Sequence, residues 1–347
     1  MNKKQKNDNV KYKGIGLRLV DQMEQMTFDR HAQLAISNVE YNLKYLEKGQ
    51  SIEKLKRNFG EFDHSIIIAA GPSIKRMNPI EDIKKHCFKG KIVITESGLH
   101  YCLKNNVIPD LVVSVDPGGP RIVRWFGNPN LDEDEIKNDD YFTRQDMDED
   151  FSNEYLVNEK LMKLVDENCE GVPIALSMGS SQAVVERVIS IGMDIYWFNP
   201  MLDDPDKENS YTLKTHRLNG LPCINCGGNV GSASWMILDE VLKARTIALV
   251  GVDFSYYSDT SYYNTQYYHE AVELVGEENL DELFINVFNP YLNKWFFTDP
   301  AYYWYRQAFL EMVKEGSSIT YNCTNGGILF GDNIIIIKLD EYLILIQ

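Results

Sequence analysis

Basic residues are scarce in this chain: 35 Lys and Arg stand against 51 Asp and Glu in 347 residues, for a formal net charge of −16. Affinity for a polyanion comes largely from clustered Lys and Arg, so this balance argues against a duplex nucleic-acid surface. Long hydrophobic runs are missing as well. No stretch approaches the length of a membrane span, and the apolar C-terminal segment 334–346 is interrupted by Lys338, Asp340 and Glu341. A terminal strand followed by a final helix or strand is expected there. Cysteine is sparse, with six residues and no signal-peptide pattern behind Met1-Asn2-Lys3-Lys4, so reduced thiols in a cytoplasm are expected. Neither a G-x-S-x-G elbow nor a G-x-x-x-x-G-K-[ST] loop occurs, which removes the main support for hydrolase and P-loop kinase readings.

What the chain does have is a series of short apolar runs that stop at small or acidic residues. Ser65–Ala70 leads into Gly71-Pro72-Ser73, Leu111–Val115 into Asp116-Pro117, and Thr246–Val250 into Gly251-Val252-Asp253. With Lys91–Thr95, Pro173–Leu176 and Asp194–Phe198 they alternate with helix-like segments, the pattern of an α/β fold with a Rossmann-like, mostly parallel sheet of about six strands. In such sheets ligands lie outside the carboxyl ends of the strands. The stretch Gly227-Gly228-Asn229-Val230-Gly231-Ser232 before a helix-like run over 233–243 adds a glycine-rich loop suited to a phosphate or another anion. A phosphorylated ligand is therefore expected.

The organisation reads as a helical N-terminal lead-in over residues 1–60, a nucleotide-binding domain over 61–253 and an aromatic-rich C-terminal cap with a terminal strand over 254–347. A strongly acidic segment over about 128–154, with Asp132-Glu133-Asp134-Glu135, Asp139-Asp140 and Asp148-Glu149-Asp150, reads as a solvated surface insertion. The cap is crowded with tyrosine and tryptophan from Tyr256 to Tyr305, either as an aromatic core or as a stacking surface for a base or sugar.

Gly71, Pro72 and Ser73 form a turn that either holds a phosphate or is purely structural. Asp116 and Asp253 sit just past strand ends, where each carboxylate binds a divalent cation, takes a proton or caps the next turn. Cys223-Ile224-Asn225-Cys226 has metal or redox spacing but no second pair, so two core or loop thiols are expected. Among the histidines, His269 in the tyrosine-rich region is the candidate general acid or base.

Four ordered segments resemble a known superfamily: Ile67–Ser73 (IIAAGPS), Asn105–Pro117 (NNVIPDLVVSVDP), Gly227–Gly231 (GGNVG) and Leu249–Asp253 (LVGVD). They look like the shared domain of the motility accessory factor (Maf) proteins, which the archaeal 6-hydroxymethyl-7,8-dihydropterin pyrophosphokinases (the MptE-like family) carry in similar form. The resemblance runs over roughly residues 30 to 330. For the Maf proteins it implies transfer of a nonulosonic, sialic-acid-like sugar from a CMP donor to a hydroxyl of a protein or glycan acceptor. For the pterin enzymes it implies transfer of diphosphate from ATP, with Mg2+, to a pterin alcohol. Either way Gly71, Pro72, Ser73, Asn199, Gly227, Gly228, Asn229, Gly231 and Ser232 would hold the nucleotide, and Asp116 and Asp253 would act as base or metal ligands. A nucleotide-binding protein without catalysis is the third reading.

Overall fold

The computed structural model describes residues 10–11, 14–138, 140–144 and 154–347. Among the described residues fourteen strands run in chain order as β1 (Val10–Lys11), β2 (Gly49–Ser51), β3 (His64–Ile68), β4 (Lys91–Thr95), β5 (Leu111–Ser114), β6 (Pro173–Ser177), β7 (Asp194–Pro200), β8 (Cys223–Ile224), β9 (Thr246–Val250), β10 (Tyr256–Tyr257), β11 (Ile285–Asn289), β12 (Lys294–Thr298), β13 (Ile319–Asn322) and β14 (Ile334–Ile336). The main sheet has the order β14-β13-β9-β3-β4-β5-β6-β7-β2, with β8 beside the end of β7. Every pairing in it is parallel. The fold is thus α/β with a parallel central sheet. That sheet is wider than the six strands expected, because β2 enters from the N-terminal segment and β13 and β14 from the C-terminal one.

Parallel strands with both faces covered need apolar side chains on both. Ile66, Ile68, Ile94, Val112, Ile174 and Leu176 belong to one buried layer, packed with Ile80, Leu103 and Val184 of the flanking helices. The alternate residues Ile67, Val93, Leu111, Val113, Ile247 and Leu249 pack in the other, with Trp235, Leu238 and Phe309. Each such side chain contributes about 1.5–3 kcal/mol by leaving water. The continuous apolar runs in the sequence arise from this double burial.

The second sheet is small and antiparallel, in the order β1-β11-β12-β10. It carries the aromatic cap on a core of its own, in which Tyr262 stacks on Phe284 at 4.3 Å between ring centroids and Tyr256 on Phe297 at 5.4 Å. The helix Met23–Asn42, part of the N-terminal segment, packs along the main sheet's helices and reaches the carboxyl-end side.

The acidic segment differs from the solvated insertion expected of it, as far as it is described; Asp139 and the Asp148-Glu149-Asp150 run lie outside the described residues. Tyr141 and Phe142 are buried against Trp125, with ring centroids 6.4 and 4.7 Å away. Arg144 is buried too, pairing with Asp140 at 2.6 Å and donating to the carbonyls of Tyr263 and Thr265. Two aromatic residues thus fasten an otherwise charged stretch to the main domain, and one arginine fastens it to the cap. Among the described residues no helix is long and apolar enough to cross a membrane.

Candidate functional site

A cavity of about 800 Å³ opens at the carboxyl ends of β3, β4, β5 and β9, between the main sheet and the aromatic cap. Gly71, Pro72, Asp116, Gly227, Gly228, Asn229, Gly231 and Asp253 all line it, so four motifs far apart in sequence converge on one crevice. From the cap come Tyr256, Tyr267, Tyr302, Trp304 and Tyr305, and from the helix Met23–Asn42 comes His31.

The first and last turns are locked to each other. Gly71 N–H donates to the Gly251 carbonyl at 2.9 Å, and a Cβ on Gly71 would collide with Asp253 Oδ2 and Gly251 O. This close approach is what requires glycine. Ser73 is 1% exposed, and its hydroxyl donates to Asp253 Oδ2 at 2.7 Å. Ser73 therefore fixes Asp253 and does not line the cavity, unlike the phosphate-facing hydroxyl expected from the sequence. Asp253 is left with Oδ1 buried and without a partner, and burial pushes its carboxyl up to about 7, against the opposing effect of the Ser73 bonds.

Asp116 is held by its own turn, with Oδ1 accepting from Gly118 N–H at 2.6 Å. His31 lies close enough for the Asp116 charge to act on it; burial nevertheless holds the imidazole below its usual value of 6.5, and Arg30 adds to the lowering. Its Nδ1 is buried with no partner. Glu96, directly after β4, lines the same floor at 3% exposure, with Oε2 buried and unpartnered. Burial, with the Asp116 charge behind it, pushes this carboxyl up to about 8. Unsatisfied buried polar atoms cost about 1–3 kcal/mol each. Their concentration at Glu96, Asp253, His31 and Thr260, all lining one cavity, marks a surface shaped for a polar ligand.

The glycine-rich loop is shaped partly by the cap. Gly227 and Gly228 have φ of +55° and +81°, and a Cβ on Gly228 would come within 2.6 Å of Trp304 and Tyr305 ring atoms. Asn229 caps the following helix by accepting from Ser232 N–H at 2.9 Å, while its own amide donates to the Ser232 hydroxyl at 2.8 Å. Ser232 is fully buried and serves this cap.

Two other expected site residues lie elsewhere. Asn199 is fully buried at the end of β7 and exchanges side-chain hydrogen bonds with Asn219 at 2.8 and 2.9 Å, holding the β7–β8 connection. His269 is an exposed side chain that pairs with Asp140 at 3.1 Å and does not line the cavity. The sequence reading missed Glu96 and His31. Glu96 carries the same signal as Asp116, an acid straight after an apolar run; His31 carries none, because only the tertiary fold brings its helix to the sheet.

Cys226 lines the cavity and Cys223 does not, and burial pushes the Cys226 thiol up to about 12, far from the thiolate that metal binding requires. Among the described residues no group of three His, Cys, Asp or Glu could hold a metal ion. With one oxygen of Asp253 bound by the Ser73 hydroxyl and one of Asp116 by Gly118 N–H, and no third ligand grouped with them among the described residues, the pair does not fit a resident magnesium site.

Residues 37–123 match the family of 6-hydroxymethylpterin diphosphokinase MptE-like proteins. The match supports the resemblance read from the sequence, over a segment holding Gly71, Glu96 and Asp116 but neither the glycine-rich loop nor Asp253. Among solved structures, the Maf glycosyltransferase from Magnetospirillum magneticum AMB-1 is similar at 14% identity and a TM-score of 0.49, over 83% of this chain. The chain covers 38% of the length of that protein. No curated protein matches it significantly.

Proposed function

We propose that the cavity binds a nucleotide-linked sugar with a single phosphate, of the CMP-nonulosonic type, and that the protein transfers the sugar to a hydroxyl of a glycan or protein acceptor. One observation carries this reading over an ATP-dependent diphosphate transfer. The cavity wall has Glu24, Glu96, Asp116, Asp203, Asp204 and Asp253 but, among the described residues, only Arg121 and His31 as basic side chains. A triphosphate brings about four negative charges and is ordinarily met by magnesium, a P-loop lysine or arginines. A single phosphodiester needs little more than backbone N–H groups at a glycine turn and one cation.

In this mechanism the turns around Gly71 and Gly227-Gly228 let backbone approach the leaving phosphate, and Arg121 supplies the positive charge. Departure of CMP leaves an oxocarbenium-like sugar, so the protein's remaining tasks are to stabilise the phosphate and to deprotonate the acceptor hydroxyl. His31 and Asp116 are placed for the second task. His31 is neutral at neutral pH because burial lowers its pKa, and the Asp116 carboxylate beside it stabilises the imidazolium that forms on proton uptake. The rate should therefore fall on the acid side through a pKa below 6.5. The aromatic cap excludes water and leaves room for the acceptor.

Thermal unfolding against CMP, CMP-sialic acid, ATP, GTP and a pterin alcohol, each with and without magnesium, tests the reading. A ligand at a hundred times its Kd stabilises by about 2.7 kcal/mol. Stabilisation by the CMP compounds without magnesium is expected; a response confined to ATP and the pterin with magnesium would replace this function with the diphosphokinase.

A further inference from the structure

One buried acid on the cavity floor has a carboxyl oxygen with no partner in the protein, and no task in the transfer. Glu96 opens the tight turn Glu96–Gly98 at the end of β4, and Gly98 is pressed so closely on the main chain that a Cβ there would come within 2.9 Å of the Ile68 carbonyl oxygen. The sheet order β3-β4-β5 sets this turn between the Gly71 turn and Asp116. The flanking hydroxyls of Thr95 and Ser97 bond each other at 3.0 Å. Around the turn pack β5 with Asp116 at its end, the helix Leu99–Lys104 with His100, Tyr101, Cys102 and Lys104, and the turn Arg124–Phe126 with Arg124. The same cavity is also lined by the titratable groups Glu24, His31, Asp203, Asp204, Cys226 and Asp253 and by Arg121. Burial raises the Glu96 carboxyl most, a hydrogen bond from its own backbone opposes this, and of the charges the one that acts on it is Asp116, with the effect of keeping it protonated. A carboxyl in such a place is favoured as the neutral acid up to about pH 8.

We propose that Glu96, as a neutral carboxyl, reads the base of the bound nucleotide: its O–H donates to the cytosine ring nitrogen N3 and its carbonyl oxygen accepts from the exocyclic N4 amino group. A protonated carboxyl presents one donor and one acceptor side by side. Cytosine presents the complement. Guanine and pterin present two adjacent donors, which pair with an ionised carboxylate and leave the neutral acid's O–H opposed to an N–H. The charge state of one side chain thereby separates a cytidine nucleotide from a pterin, and the buried Oε2 gains the partner that the protein denies it.

The inference rests on the cytidine-nucleotide reading, and its test keeps the two apart. Binding of CMP and of GMP to the full chain would be measured by calorimetry at about pH 7.5 and about pH 9.5, on either side of the Glu96 pKa of about 8. For the wild type, CMP affinity is expected to fall at least about tenfold at the higher pH, with net proton uptake on binding, read from buffers of different ionisation enthalpy. Glu96→Gln keeps a donor and an acceptor in the same shape, so it should bind CMP at both pH values within about threefold of the wild type at the lower pH, and the proton uptake should vanish. Glu96→Leu should lose CMP affinity by about tenfold or more. CMP binding that is tight but independent of pH and of Glu96→Gln would overturn the role of Glu96 and leave the transferase standing, as would GMP binding at the lower pH as tight as that of CMP. If CMP does not bind the wild type at either pH, the cytidine-nucleotide function falls and this inference with it. The wild-type pH dependence and proton uptake decide the matter even if a variant fails to fold.

Discussion

The two walls of the cavity are built on opposite plans. On the side of the sheet ends, polar atoms of Glu96 and Asp253, and of His31 from the helix Met23–Asn42 that meets them, are buried without partners. On the cap side the Thr260 hydroxyl is also buried without a partner, but the tyrosine hydroxyls are engaged: Tyr302 donates to Gln266 Oε1 at 2.5 Å, Tyr256 accepts from Gln266 N–H at 2.9 Å, and Tyr267 and Tyr305 share a bond of 3.2 Å. Tyr256 also stacks on Tyr302 at 5.5 Å. A wall whose hydrogen bonds are closed within the protein provides shape and burial, whereas one with open polar groups is completed by a ligand. The difference assigns chemistry to the sheet ends and enclosure to the cap.

The sharpest way to break this contrast is to remove a floor carboxylate. Asp116→Asn should lower transfer by about 10²–10⁴-fold while the stabilisation by CMP persists, measured as turnover beside melting shifts. Full activity in that variant would end the role given to Asp116. A cap residue should behave in the reverse manner. Tyr256→Ala, at a position 5% exposed, should cost about 3–5 kcal/mol of stability in denaturant unfolding, whereas Tyr256→Phe should cost only about 1 kcal/mol. A Tyr256→Phe variant that is stable but catalytically dead would move chemistry onto the cap.

The parallel sheet was legible in the sequence because burial on both faces writes itself as unbroken apolar runs, and Lys91–Thr95 and Thr246–Val250 have the bounds read from the residues. The crevice was legible for the same reason, since its glycines and acids follow those runs. Which side chains face the ligand was less so. Ser73 stands in the right turn but points into Asp253, and Asn199 ends a strand lying three positions from β4 in the sheet. Sequence places a residue at a strand end; the partner that takes up its hydrogen bonds comes from a distant segment. Glu96 could have been found by applying to Lys91–Thr95 the rule that found Asp116.

Ser73→Ala sharpens the distinction between binding and positioning. It removes a bond to a buried carboxylate and should cost about 1–3 kcal/mol above pH 7, where Asp253 is ionised. The sign follows from the bond's preference for the charged form: as pH falls through the Asp253 value of about 7, the acid becomes neutral in both proteins and the cost shrinks. A cost independent of pH would mean that Ser73 acts through packing. The smallest effect belongs to His269, an exposed partner of Asp140 outside the cavity. His269→Ala should change stability by no more than about 0.5 kcal/mol in thermal unfolding and leave CMP binding and turnover unaltered.

The most direct test of chemistry on the sheet side is the release of CMP from CMP-sialic acid in the presence of a chelator, by the wild type and by His31→Ala and Asp116→Asn. Metal-independent release by the wild type, lost in both variants, is the predicted result. No release by the wild type, together with magnesium-dependent formation of AMP from ATP and a pterin alcohol, would contradict it.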